Sequence, residues 1–93
     1  MEEMNELARS QEQLGQKIVK LLSTMKKDSI PRRTESYLET RSATLEAYWK
    51  EAQTSNTKMV QMNIPQHNYF EAGYFDQIKK AYQDTKTFIR DCN

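Results

Sequence analysis

A chain of 93 residues holds one domain with a small core. Charged residues make up 29% of it and hydrophobic ones 37%, a balance closer to long amphipathic helices than to a large apolar interior. Lys and Arg number 14 and Asp and Glu 13, which argues against a dedicated nucleic-acid or membrane-surface binder.

The first predicted helix covers about residues 3–27. Met4, Leu7, Gln11, Leu14, Ile18, Leu21 and Met25 step 3, 4, 3, 4, 3, 4, a heptad seam with one polar member, Gln11. Leu22 widens the stripe. Glu2, Glu3 and Glu6 near the start and Lys17, Lys20, Lys26 and Lys27 towards the end suit the helix dipole. Ser10 and Gln13 form a possible internal capping box, and Gly15 is expected on the outer face. The run Asp28-Ser29-Ile30-Pro31 breaks the helix, because Pro31 disfavours a helical Ile30 and suits the first turn of the next element.

The second helix is predicted over about 32–62, with Leu38, Arg41, Leu45, Tyr48, Ala52, Ser55, Met59 and Met62 again stepping 3 and 4. Thr54-Ser55-Asn56-Thr57 is its weakest stretch, the place where it would fray or bend. Asn63-Ile64-Pro65-Gln66-His67 is the second break. Asn68 and Glu71 read as a capping box for a third helix, placed at about 70–91, with Gly73 unsettling its first turn. Its seam is Phe75, Ile78, Tyr82, Thr85, Ile89 and Cys92.

The fold class is therefore all-α: a coiled-coil-like antiparallel hairpin of helices two and three, preceded by an amphipathic helix. The expected hairpin core is Leu38, Leu45, Tyr48, Trp49, Met59, Phe75, Ile78, Tyr82 and Ile89. Tyr69, Phe70, Tyr74 and Phe75 should close over Met59 and Met62, and Trp49 should lie near Tyr82 and Phe88. The first helix either folds back as the third member of the bundle or reaches to another chain. The abrupt ending at Asp91-Cys92-Asn93 suggests a fragment of a longer protein.

No constellation for chemistry is expected. His67 is the lone histidine, in a polar loop, and Cys92 the lone cysteine, so neither a zinc site nor an internal disulfide is expected. Nucleophilic catalysis needs a base held by a third group, and no histidine lies near Cys92 in sequence. No glycine-rich phosphate loop occurs, and no cofactor or small-molecule substrate is expected. A single thiol, no signal peptide and no apolar run of about 18 residues fit a reducing, intracellular setting without membrane insertion. Lys26, Lys27, Arg32 and Arg33 could engage phosphates, but Asp28 dilutes them and no aromatic platform interleaves with them.

From Pro31 onward a pattern of specific residues joins the heptads. Arg33-Thr34 and Tyr37-Leu38-Glu39-Thr40-Arg41 are followed by Leu45-Glu46 and Tyr48-Trp49. Then come Tyr69-Phe70, Tyr74-Phe75, Ile78, Tyr82, Lys86 and Ile89. Over about residues 31–92 this resembles the helical Gag-like region of insect LTR retrotransposons of the Bel/Pao class. The resemblance implies a Gag-type assembly or adaptor role, in a retroelement or a host protein derived from one, with no catalytic residues to carry over. The Cys-His knuckle in which such proteins usually bind nucleic acid is absent.

The leading expectation is a non-enzymatic self-assembly module, a dimer before larger oligomers. Its seam would be Leu7, Gln11, Leu14, Ile18, Leu21 and Met25, where a polar Gln11 is the kind of residue that fixes register or oligomer state. The alternative is an adaptor that binds a different protein through the first helix or an exposed groove. Nucleic-acid contact through the basic turn ranks third.

Overall fold

A computed structural model of the chain describes residues 2–28, 34–62 and 68–92. It contains α1 (Glu2–Lys27), α2 (Glu35–Gln61), a one-turn α3 (Asn68–Glu71) and α4 (Tyr74–Asp91), with no strand among the described residues. The three long helices form one elongated bundle of 48 × 18 × 17 Å. Contacts fix their directions. Gln11 meets Ala52, and Lys17 lies over the Tyr48 ring, so α1 and α2 run antiparallel. Trp49 meets Phe75, and Glu46 meets Tyr82, so α2 and α4 are antiparallel as well. It follows that α1 and α4 run parallel, with Gly15 against Ile78.

The position of α1 resolves the choice left open by its sequence, because the helix folds back onto its own hairpin. Leu14, Ile18, Leu21 and Met25 are buried with Leu38, Leu45, Ala52, Ile78, Tyr82 and Ile89 in one long core. A second cluster at the other end joins Met4, Ala8, Met59 and Tyr69, with Leu7, Met62, Phe70, Tyr74 and Phe75 packed around it. The buried residues of α2, Leu38, Leu45, Ala52 and Met59, recur every seven positions. Tyr48, Trp49 and Ser55 beside them are only half-buried, because α2 divides its surface between two neighbours.

Several boundaries differ from the sequence expectation. The second helix starts at Glu35 and not near residue 32. Thr34 is its N-cap, accepting a hydrogen bond from the Tyr37 amide at 3.2 Å. The turn around Pro31 and the loop with Pro65 and His67 lie outside the described residues, as does the side chain of Asn68 in the expected capping box. The internal capping box at Ser10 is not used, since α1 runs unbroken from Glu2. Nor does α2 break at Thr54–Thr57. The hydroxyls of Thr54 and Thr57 donate to the carbonyls of Lys50 and Gln53, each at 3.0 Å, and the helix continues to Gln61. The expected third helix is two pieces. Gly73 adopts φ 66° and ψ 37°, a left-handed conformation that ends α3 and restarts the chain as α4.

Gly15 also departs from expectation. It is half-buried and faces α4: a Cβ placed on it would lie 3.2 Å from Ile78 Cγ1. Trp49 stacks on Tyr82 (4.6 Å between ring centroids, 12° between planes) and on Phe75 (5.4 Å, 16°), where the sequence suggested Tyr82 and Phe88. These aromatic contacts add on the order of 0.5–1.5 kcal/mol each beyond the area they bury.

The phase of α1 sets a contrast between adjacent residues. Ile18 is fully buried and Val19 is 58% exposed. Ile18→Ala and Leu45→Ala should each cost about 2–5 kcal/mol. Val19→Ala should stay within about 0.5 kcal/mol. Urea unfolding at low micromolar protein concentration, monitored by far-ultraviolet circular dichroism, checks both values.

Candidate protein-interaction surface

The seam expected to join chains is the part of α1 most deeply used inside this one. Gln11, Ile18 and Met25 have no exposed surface, Leu14 is 2% exposed and Leu21 7%. Only Leu7 is half-buried, in the end cluster. Substituting Leu14 and Ile18 would therefore attack the core, and the accessible surface of α1 lies away from this seam.

Gln11 explains how a polar residue fits the seam. Its Nε2 donates to the Ala52 carbonyl at 2.8 Å and to the Tyr69 hydroxyl at 3.2 Å, and that hydroxyl donates to Asn56 Oδ1 at 2.7 Å. Ala52, with no surface exposed, leaves room for the amide to reach the α2 backbone. Gln11 Oε1 is buried without a hydrogen-bond partner among the described residues. Such an atom costs on the order of 1–3 kcal/mol, so the network fixes the register of α1 on α2 and α3 more than it adds stability.

Two further ties cross between helices. The Tyr37 hydroxyl donates to Asp28, joining the end of α1 to the start of α2, and Arg41 lies over the Tyr37 ring at 5.0 Å. The Tyr82 hydroxyl donates to Glu46 Oε1 at 2.7 Å and accepts from Lys86 Nζ at 3.1 Å. The Lys86–Glu46 ion pair, at 3.5 Å, is exposed and contributes little.

Along the flank of α1 that borders α4, a groove of about 530 Å³ runs between the two helices. Gly15, Val19 and Ser23 alternate with polar residues, Glu12, Gln16 and Lys20 among them, along its α1 wall, and Ile78 and Ala81 belong to its α4 wall. Glycine, serine and alanine leave the groove open because they extend so little from the backbone. A second depression continues it along Val19, Leu22, Lys26 and Lys27. Val19 belongs to both and is one of two large hydrophobic residues left exposed among those described, the other being Val60 on α2. Sequence periodicity passed over this surface, since a single valine on a polar face carries no repeat. The available signal was Val19 standing outside the seam with Gly15 one turn before it.

Charge on the exposed side of α1 is divided by position. Glu2, Glu3, Glu6 and Glu12 occupy the first half with Arg9, and Lys17, Lys20, Lys26 and Lys27 occupy the second, all of them exposed. Of the suggested basic turn, Lys26 and Lys27 are exposed at the end of α1, and Arg32 and Arg33 lie outside the described residues. Cys92 is half-buried against the long core. Among the described residues no group of three or more His, Cys, Asp or Glu is placed to hold a metal ion, and no helix is long and apolar enough to cross a membrane. Comparison with protein families, with curated proteins and with solved structures returned no match.

The tyrosines give the bundle an alkaline limit. Burial raises the Tyr69 hydroxyl above its ordinary value near 10. Tyr82 and Tyr37 are raised too, first by burial and then by hydrogen bonds to Glu46 and Asp28. A hydroxyl raised in the folded state stabilises the fold fully below its unfolded value, and that contribution disappears as pH climbs through the folded value. Stability should thus decline with rising pH above about 10. The decline should be shallower in Tyr69→Phe, as read from urea midpoints over a pH series.

Proposed function

We propose that this chain is a non-enzymatic protein–protein interaction module that works inside the cell by self-association. The observation that carries the reading is the division of α1. Its apolar seam is consumed by its own bundle, while the flank beside α4 keeps an open groove with Val19 58% exposed in its lining. A closed bundle with a rigid outer helix offers a partner a preformed surface, which lowers the ordering cost of association. The resemblance to the Gag-like region points the same way, towards assembly and away from catalysis, and rests on the residues quoted for it. The assembly surface differs from the seam first expected: Leu14, Ile18, Leu21 and Met25 hold the monomer together, and the outer side of α1 meets the partner.

The size of that surface sets the strength. A helix of 26 residues is about 39 Å long, and a strip about 10 Å wide along it covers at most on the order of 400 Å² per copy. A standard interface buries about 800 Å² per partner, so the complex is weak and reversible. Light scattering over a concentration series should show a rise from monomer towards dimer mass at tens to hundreds of micromolar. Val19→Asp, an exposed substitution, should keep the circular dichroism spectrum and hold the chain at monomer mass. A wild-type monomer throughout the series overturns the reading.

A further inference from the structure

We infer that the partner is a second copy of this chain, bound with its α1 antiparallel to the first about a two-fold axis at Val19. The inference rests on the self-association proposed above and assigns its geometry. Glu12, Gln16, Val19, Ser23 and Lys26 step 4, 3, 4, 3 along α1, and all five are exposed. They form a second helical stripe, roughly opposite the buried seam. The stripe is self-complementary by inversion, with an acid at one end, a base at the other and its one apolar residue at the centre.

The two possible directions of pairing have opposite electrostatic outcomes. In a parallel pair, Glu12 faces Glu12 and Lys26 faces Lys26, and the flanking charges repeat the conflict at both ends. In an antiparallel pair centred on Val19, Glu12 lies opposite the partner's Lys26, seven residues from the axis on either side, and this pairing occurs twice. The paired helices overlap over residues 11–27, where the remaining cations, Lys17, Lys20 and Lys27, meet no like charge directly opposite. At the centre, Val19 meets its own symmetry mate, and the small, exposed Ser23 one turn away leaves the partner helix room to approach. A two-fold interface uses the same patch on both copies, as a stripe that complements itself requires. Charges at the edge of an interface act mainly on orientation and association rate, so the valine supplies attraction and the ends select direction.

Cysteine cross-linking tests the geometry. In a Cys92→Ser background, Val19→Cys should form a disulfide-linked dimer under mild oxidation, since a residue at the axis meets itself within disulfide reach. Glu12→Cys alone and Lys26→Cys alone should give at least tenfold less dimer, and a 1:1 mixture of the two should restore it. Self-linking by Glu12→Cys and Lys26→Cys as readily as by Val19→Cys, in a chain that dimerises by light scattering, indicates parallel helices and overturns the inference while leaving self-association intact. A dimer that links at none of these positions removes α1 from the interface. A chain that stays monomeric removes the self-association reading itself.

Discussion

Burial of the α1 seam is the constraint on which the molecule depends. Only 37% of the residues are hydrophobic, and no pair of these helices can cover its own apolar face. Leu14, Ile18, Leu21 and Met25 fill the space that α2 and α4 leave between them. Each fully buried aliphatic or methionine side chain contributes about 1.5–3 kcal/mol from burial, against a net stability of about 5–15 kcal/mol for a typical domain. Loss of α1 would expose most of the core.

The seam also explains the positions of the other features. Ala52 is small where Gln11 must reach the α2 backbone, and Tyr69 extends from α3 to meet the same amide. Gly73 turns the chain in a left-handed conformation so that Tyr69 and Phe70 cap the end cluster while Phe75 stacks on Trp49 from α4. Gly15 has no side chain where α1 approaches Ile78. The same helix thus carries one stripe that is buried in folding and another that stays exposed, the one proposed to meet a partner.

Much of this could be read from the sequence, because steps of 3 and 4 are a direct consequence of helical geometry. The seams of α1, α2 and α4 and the aromatic cluster around Met59 follow from it. What the pattern lacks is an address. A heptad seam states that a face is to be buried and not by which chain, so packing of α1 on its own hairpin required the tertiary structure. Residues at the margin of a stripe were equally ambiguous. Gly15 lies between the two stripes of α1, and its contact with Ile78 depends on the placement of α4. The division into α3 and α4 depends on a positive φ at Gly73, which composition can flag but not assign. Val19 gives no periodic signal, because one apolar residue among distributed charges has the pattern of an ordinary solvated helix face.

The central claim is that α1 completes the bundle of its own chain, and amide hydrogen exchange under native conditions at micromolar dilution tests it most directly. The amides around Ile18 should exchange as slowly as those around Leu45, through the same global opening and independently of protein concentration. Fast exchange in α1 beside slow exchange in α2, or α1 protection that falls on dilution, would mean that α1 is held by another chain, contradicting the account.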